Sequence, residues 1–421
     1  MLVAFFGWAT ALRADSLETI WQDVPLWEMN PEVFEAKTRA LGFRWTSAAK
    51  DSSRSSAGGM TFAGCPVVEC IARFGGGRIT SLTALFYARG DSGDISRPDY
   101  EALVKHCADA LTALAKVQPQ ARGKDSQNAV KADGLVWQMA RTTLLLEYAI
   151  NKEVTPQAIH YRPEFVRVEL SPAAKKGQQS REDASAKVDP KSRVKHHPGG
   201  DVRIEGIPMV DQGEKGYCFV ASAERVLRYY GMRVDQNELA QLASSDSSSG
   251  TNSRLAMEGL KKAGSRMQFR ARVANEPEDR ELEAFFREYN KLAAKVSPQT
   301  VIPPLEGAVN LSELFAKLRP DLLKEAKLRQ RSAMAKFQRA TIAAVDAGQP
   351  TIWCVQLGLV KVQSATDKQS SQNHARLIVG YNATTKELLY SDSWGAGHEL
   401  KRMSMDDAWV MHQMSILLAP W

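Results

Sequence analysis

The sequence of 421 residues lacks any apolar run long enough to cross a bilayer as a helix, which argues against an integral membrane segment. It also lacks an arginine-rich tract and a basic tract interleaved with aromatic residues. Its 55 basic and 48 acidic residues leave a net charge of only +7, spread over the whole chain. Nucleic acid is therefore not the expected partner.

Cysteine is scarce and its number is odd: the five are Cys65, Cys70, Cys107, Cys218 and Cys354. In an oxidising compartment an odd number leaves one free thiol, which then becomes a candidate for chemistry. Cys65 and Cys70 are near enough in sequence to close a small disulfide loop, but no second ligand pair lies close to them for a metal. Cys354 lies in an apolar run with strand character and is interpreted as a core residue.

The chain also has few histidines, seven in all. His196 and His197 are adjacent in a polar tract without a third ligand nearby, so we interpret them as solvated and not as metal-binding. The sequence predicts neither a metal nor another cofactor.

With 44% apolar residues the chain is long enough to bury two cores, so we expect two domains. Before them, the apolar run 2–12 and the small residues around its end resemble the core and cleavage site of a signal peptide, although a positively charged start is missing. We expect residues 1–14 to be a signal peptide and the protein to be exported, either periplasmic or secreted. The alternative is a buried first segment of a cytoplasmic protein.

Residues 15–173 have the pattern of an α+β domain. A β-hairpin is predicted over Val67–Ala88, and a helix is predicted to begin at Ser96. A further helix is predicted over Leu17–Trp27. No nucleophile is paired with a base in this domain, so we expect a recognition or regulatory module, with a cleavable inhibitory segment as the alternative.

Residues 174–200 contain almost no apolar side chains and are predicted to be a flexible linker. A second domain is expected over residues 201–421. Within it, a helix is predicted over Arg254–Ala263 with Gly264 as its stop. From Pro350 onward the pattern changes from helices to strands.

The most informative stretch is Gln212–Gly231, in which a polar, glycine-containing loop leads into Cys218. Apolar residues then recur with helical spacing at Phe219, Val220, Ala223, Val226, Leu227 and Tyr230. Gly231 suits the left-handed conformation that commonly follows the last turn of a helix. Cys218 is therefore predicted to open a helix, where unpaired backbone N–H groups and the helix dipole favour a thiolate.

Three successive strands are predicted over Thr351–Leu357, Ala375–Tyr381 and Glu387–Ser391. His374 immediately precedes the second strand, and Asp392 immediately follows the third. If these two strands pair across the turn between them, the carboxylate lies close to the imidazole and can orient it. Taken singly, each residue has a plainer explanation, the histidine as a half-buried residue and the aspartate as a turn former.

The order of Gln212, Cys218, His374 and Asp392 resembles that of papain-fold cysteine peptidases and is most similar to the bacterial C39-like branch. The resemblance covers about residues 201–421. It implies an α+β fold in which a nucleophile helix packs on an antiparallel sheet. It also implies that the cysteine is the nucleophile, the histidine the base, the aspartate the orienting group and the glutamine an oxyanion-hole donor.

The same resemblance extends to the Asp-Ser-Trp-Gly sequence after the last strand, where it implies that Trp394 shields the His–Asp pair from water. Two features depart from the papain pattern. The third catalytic group is Asp and not Asn, and a long helical insertion precedes the final sheet. The chain has neither a glycine-rich phosphate loop nor a membrane span, so secretion-coupled leader cleavage is not implied.

We therefore expect a cysteine peptidase that hydrolyses peptide bonds in a protein or peptide substrate. Two alternatives stay open. A thiol acyl-transfer enzyme such as an amidase or transglutaminase uses the same triad. A catalytically inactive papain-like binding domain would use Cys218 only as a structural thiol. The presence of all four residue types in order favours an enzyme.

Overall fold

The computed structural model describes residues 15–21, 23–122, 131–154, 159–173, 189–213, 216–243, 253–302, 314–315, 317–362 and 373–421. The expected class is α+β, and the described residues contain both helices and strands throughout, which confirms its coarse part. The described residues up to 173 belong to one compact unit, and those from 189 onward belong to another. The signal peptide predicted for residues 1–14 lies outside the described residues. Within the described ranges, no helix is both long and apolar enough to span a bilayer.

The first unit is built mainly on antiparallel strand pairing, with β1 and β4 paired in parallel. Its strands are β1 (Asp15–Ser16), β2 (Arg44–Trp45), β3 (Ser52–Ser55), β4 (Met60–Phe62), β5 (Cys65–Pro66), β6 (Glu69–Gly75), β7 (Arg78–Ala88), β8 (Gln120–Ala121), β9 (Asp133–Gln138), β10 (Thr142–Val154) and β11 (Ile159–Pro172). An eight-stranded sheet has the order β2-β3-β6-β7-β11-β10-β9-β8, and β1-β4-β5 form a small one. The pairing of β6 with β7 confirms the predicted hairpin.

The helices of the first unit are α1 (Pro31–Thr38), α2 (Arg89–Ser92) and α3 (Arg97–Ala115). Ser96 caps α3, as predicted, by accepting a hydrogen bond from the backbone N–H of Asp99. The single helix predicted over Leu17–Trp27 is wrong: two short 3₁₀-helices, Leu17–Trp21 and Leu26–Glu28, occur instead. Pro25 stands before the second one, where it cannot donate the backbone bond that a continuous helix needs.

The second unit has eight described strands and seven described α-helices. The strands are β12 (Val194–His196), β13 (Asp201–Ile204), β14 (Phe269–Asn275), β15 (Thr351–Gln356), β16 (Asn373–Asn382), β17 (Glu387–Ser391), β18 (Lys401–Ser404) and β19 (His412–Pro420). The helices are α4 (Cys218–Tyr229), α5 (Gln236–Leu242), α6 (Ser253–Met267), α7 (Asp279–Ala293), α8 (Pro320–Arg329), α9 (Arg331–Asp346) and α10 (Met405–Met411). Short 3₁₀-helices occur at Pro190–Arg193 and Pro298–Thr300.

The sheet of the second unit is antiparallel and has the order β12-β13-β16-β15-β19-β14, with β17 paired to β16 and β18 to β17. The strands β15, β16 and β17 confirm the three predicted near the C-terminus. Helix α4 packs on this sheet against β15, β16 and β19. The first residue of α4 is therefore held beside the strands that carry the polar residues singled out above.

The second unit begins earlier in the chain than the sequence predicts. Residues 174–188 of the predicted linker lie outside the described residues, but Pro190–Arg193 form a helical turn and β12 pairs with β13. The guanidinium of Arg193 donates to the carbonyl of Tyr229 at 2.8 Å. Because β12 is a short edge strand with exposed side chains, its sequence shows no apolar alternation, and the prediction of a linker up to residue 200 is wrong.

The predicted stop at Gly264 is also wrong, since α6 continues through it to Met267. A Cβ atom at Gly264 would lie only 2.4 Å from the carbonyl oxygen of Phe269. The glycine therefore allows β14 to approach the helix closely. The left-handed residue that follows the helix is Gln268, with φ of 58°.

Candidate active site

Cys218 is the first residue of α4, as predicted, and it is partly exposed. The other cysteines, Cys65, Cys70, Cys107 and Cys354, are buried, and all five are free thiols, so the small Cys65–Cys70 loop is not closed by a disulfide. After the last turn of α4, a glycine at position 231 takes the predicted left-handed conformation, with φ of 81°. Cys218 is thus the thiol best placed to meet another molecule.

Strand pairing brings His374 and Asp392 together. Leu377 of β16 lies opposite Ser391 of β17, so the start of one strand meets the end of the other. The Nε2 atom of His374 lies 2.9 Å from Oδ1 of Asp392, and both residues are buried. The indole of Trp394 stacks on the imidazole, with ring centroids 4.6 Å apart and 21° between the planes. One face of the pair is therefore covered by an aromatic ring.

Cys218 and His374 are hydrogen-bonded to each other. Because Nε2 faces Asp392, the ring nitrogen left for the thiol is Nδ1. Burial opposes ionisation of the thiol, but the hydrogen bond and charge of His374 outweigh it, and the backbone N–H groups of Ala375 and Phe219 add to this effect, so the pKa of Cys218 lies below its ordinary value.

The pKa of His374 is raised, which complements the lowered pKa of Cys218. Burial works against the imidazolium, but hydrogen bonds to Asp392 and Cys218 raise the pKa of His374 to about 9. A lowered thiol pKa beside a raised imidazole pKa favours a thiolate–imidazolium pair at neutral pH. A thiolate is the nucleophilic form of cysteine.

Asp392 is held by two buried cations that the sequence analysis did not single out. Nε of Arg376 donates to Oδ1 at 2.9 Å, and Nζ of Lys401 donates to Oδ2 at 3.2 Å. Burial favours the neutral acid, but the charge of Arg376, the bond to His374 and the charge of Lys401 keep the pKa of Asp392 well below its usual range. Asp392 is thus a carboxylate at neutral pH, able to orient and stabilise the imidazolium.

Gln212 is joined to the segment that follows Asp392. Its Oε1 atom accepts a hydrogen bond from Oγ of Ser393 at 2.6 Å, and its backbone N–H donates to the carbonyl of Ser393 at 2.8 Å. Because Oε1 accepts from a hydroxyl, the amide is oriented with Nε2 as its donating end. Gln212 is therefore bonded to the residue that directly follows Asp392.

A third cation, Arg225, fastens α4 to the end of β17. Its Nη1 atom donates to the carbonyl of Asp392 at 2.9 Å, and Nη2 donates to Oγ of Ser391 at 2.6 Å. Burial lowers the pKa of Arg225 to about 10, so the side chain is still charged at neutral pH. The helix that carries the thiol and the strand end that carries the carboxylate are therefore fixed to each other directly.

Of the supporting residues, only Arg376 has a visible signal in the sequence, since it is a charged residue within the otherwise apolar strand 375–380. Ser393 and Lys401 have none, because each acts through contacts between distant segments. Among the residues that the structure describes, no group of three or more His, Cys, Asp or Glu side chains could hold a metal ion.

No family model matches the sequence, and no curated protein matches it.

Proposed function

We propose that the second unit is a cysteine peptidase with a papain-like fold, most similar to the bacterial C39-like branch. The observation that carries the proposal is the chain of contacts from Cys218 to His374 and from His374 Nε2 to Asp392 Oδ1, the latter at 2.9 Å. A lowered thiol pKa and a raised imidazole pKa accompany these contacts. This combination suits nucleophilic catalysis by a thiolate with a histidine that then acts as acid and base.

In the first half of the reaction, the Cys218 thiolate attacks the carbonyl carbon of the scissile peptide bond. The oxyanion that forms accepts hydrogen bonds from the backbone N–H of Cys218 and from Nε2 of Gln212. The imidazolium of His374 then gives its proton to the leaving amine, the C–N bond breaks, and a thioester to Cys218 results. Neutral His374 is left beside the thioester.

In the second half, His374 takes a proton from a water molecule, whose oxygen attacks the thioester carbonyl. The C–S bond breaks, the carboxylic acid product leaves, and the thiolate–imidazolium pair is restored. Asp392 stays ionised throughout and stabilises each imidazolium state. Trp394 supports both halves because its stacked ring keeps water from one face of the imidazole.

The test is covalent labelling of the full-length protein with a peptidyl chloromethyl ketone, followed by peptide mass spectrometry. We expect a thioether at Cys218 and none in Cys218→Ala. The four buried cysteines serve as internal controls in the native protein. Labelling no faster than with iodoacetamide, which offers no peptide, would contradict peptide recognition at this thiol and favour a binding domain.

The products distinguish hydrolysis from acyl transfer. With a peptide substrate and an added primary amine, a peptidase yields mainly the free carboxylic acid, whereas an acyltransferase yields the new amide. Mass spectrometry of the products separates the two, and a dominant amide would replace peptidase by thiol acyltransferase at the same triad.

A further inference from the structure

Behind the Asp392 carboxylate lies a buried cluster of hydrogen-bond donors, which we call the donor cluster: Trp353, Arg376 and Tyr390. Trp353 of β15 and Arg376 of β16 are direct cross-strand partners. The guanidinium carbon of Arg376 lies 4.6 Å from the centroid of the Tyr390 ring, and the rings of Trp353 and Tyr390 are 6.1 Å apart. The three side chains therefore share one face of three adjacent strands.

The donor cluster contains four polar atoms that make no hydrogen bond to any residue the structure describes. Nη1 and Nη2 of Arg376, Nε1 of Trp353 and Oη of Tyr390 are all buried and have no hydrogen-bond partner among the described residues. Trp353, Arg376 and Tyr390 are each 0% exposed. Burial raises the pKa of Tyr390 to about 12, so its hydroxyl is protonated and able to donate at neutral pH. Buried donors without acceptors are destabilising, above all when they carry a charge.

The local charge also favours an anion. Two buried cations, Arg376 and Lys401, donate to the fully buried carboxylate of Asp392. A third buried cation, Arg225, donates to the backbone carbonyl of the same residue and is attracted to its carboxylate. Glu399, which also attracts Arg225, is only partly buried. Positive charge is therefore in excess around the carboxylate.

Water suits this cluster less well than an anion does. A water molecule that accepted hydrogen bonds from Arg376 and Trp353 would bring two hydrogens of its own, and both of those side chains are donors only. The Tyr390 hydroxyl is then the single acceptor that the donor cluster provides. A small anion accepts hydrogen bonds without adding donors of its own, and its negative charge offsets the excess of positive charge.

We propose that the donor cluster binds a small monovalent anion, chloride, between Arg376, Trp353 and Tyr390. The ion accepts hydrogen bonds from the Nη groups, the indole N–H and the phenol, and it offsets part of the charge of Arg376. Arg376 bonds Asp392 through Nε and faces the anion through Nη, so it connects the anion to the carboxylate that orients His374. The site is separate from the surface that a substrate would occupy, because every member of the donor cluster is buried.

Crystals of the full-length protein soaked in bromide give the direct test. We expect an anomalous scattering peak in contact with Arg376 and Tyr390. In solution, chloride should raise Tm by about 2–4 °C over sodium gluconate at the same ionic strength, since gluconate is too large for a buried site. The comparison is made between two salts for one variant, so a loss of baseline stability in a variant does not affect it.

Tyr390→Phe and Trp353→Phe each remove one donor, and we expect each to lose at least half of the chloride-specific rise in Tm. Tyr381→Phe is the matched control, because its hydroxyl already has an acceptor in Asp346 at 2.9 Å; it should retain the full rise. A missing bromide peak, equal Tm in the two salts, or an unchanged rise in Tyr390→Phe would overturn the proposal. Neither the anomalous peak nor the change in Tm requires peptide hydrolysis. The anion site and the proposed peptidase activity are therefore tested independently.

Discussion

His374 presents Nε2 to Asp392, with 2.9 Å between Nε2 and Oδ1, and it thereby presents Nδ1 to Cys218. This hydrogen bond and the stacking of Trp394 on one side of the same imidazole together fix the plane of the ring. The imidazole cannot exchange its two nitrogens without breaking a buried charge-assisted hydrogen bond. The orientation of the imidazole is therefore set by Asp392 within the folded protein.

Replacing the thiol tests the nucleophile. Cys218→Ala should reduce peptide hydrolysis to background while far-UV circular dichroism and Tm stay close to wild type, because alanine is tolerated at the start of a helix. Cys354→Ala is the control, since it removes a buried thiol from β15 of the same unit. It should lower Tm and leave hydrolysis in place. Residual turnover in Cys218→Ala at the wild-type rate would rule out this nucleophile.

Two substitutions test the proposed oxyanion hole, one at Gln212 and one at Ser393, which orients the Gln212 amide. Gln212→Ala should lower kcat by about 10²-fold with little change in KM, because the amide donates mainly in the transition state. Ser393→Ala leaves the amide in place but removes the hydroxyl that orients it, so a smaller loss of about five- to tenfold in kcat is expected. Equal kcat in Gln212→Ala and wild type would return this residue to a purely structural role.

The pH dependence of kcat/KM should be bell-shaped. The acid limb reports formation of the thiolate and should lie below 9.0, the ordinary pKa of a cysteine thiol. The alkaline limb reports loss of the imidazolium and should lie near pH 9. Both limbs belong to the coupled Cys218–His374 pair. An alkaline limb near 6.5, the ordinary value for histidine, would show that His374 does not act in this pair.

The same histidine contributes to folding stability in a defined pH window. Its pKa rises from 6.5 to about 9 on folding, so its contribution is fully present below about pH 6.5 and is lost as the pH rises through about 9. Urea denaturation of wild type and His374→Ala should therefore give stabilities that differ most at acidic pH and converge above about pH 9. A difference that grows with pH would contradict the raised pKa.

We expect Asp392→Asn to be poorly tolerated, although asparagine is the third group of the triad in papain. Asp392→Asn removes the charge that Arg376 and Lys401 share, and it should destabilise the fold by about 3–5 kcal/mol because two buried cations lose their partner. Adding Lys401→Met removes one of those cations and should recover part of the loss. Denaturation of both variants measures this, and an unchanged stability in Asp392→Asn would show that the cations are satisfied elsewhere.

The boundary of the second unit can be tested with two fragments. The fragment 189–421 keeps β12 and the bond from Arg193 to the Tyr229 carbonyl, which 201–421 lacks. The guanidinium of Arg193 also lies 4.5 Å from the Tyr229 ring centroid. We expect 189–421 to be more stable by about 2 kcal/mol, and equal denaturation midpoints would restore the boundary at 201.

The longer fragment also addresses the role of the first unit. If residues 15–173 recruit substrate, 189–421 should cleave small peptides as fast as the full chain but lose activity on a protein target. If they inhibit, the fragment should be faster on both substrates. Failure of 189–421 to fold would contradict both versions.

Local patterns in the sequence suffice for the helix at Cys218 and for the strands that carry His374 and Asp392. Each depends on apolar periodicity and on a capping or turn residue within a few positions. The meeting of His374 and Asp392 also follows from the sequence, because the two strands are neighbours joined by a short turn.

The rest of the site depends on contacts that no local pattern encodes. Lys401 reaches Asp392 from β18, and Ser393 reaches Gln212 across 181 positions of sequence. The register of β16 on β17 shifts between Ile378 and Gly380, which hydrophobic alternation alone does not predict. Gly264 is a different case, because its lack of a side chain allows the next strand, β14, to approach and does not mark the end of its own helix.

Arg225 donates to the backbone carbonyl of Asp392 across 167 positions of sequence. The second oxygen of the Asp392 carboxylate accepts a hydrogen bond from Lys401, which comes later still in the chain. A nascent chain that has been synthesised only to the middle of the second unit therefore contains Cys218 but not yet His374, Asp392 or Lys401. The contacts among Cys218, His374 and Asp392 can form only when the final strands have been synthesised and packed. The proposed peptidase activity is thus a property that only the completed and folded chain can have.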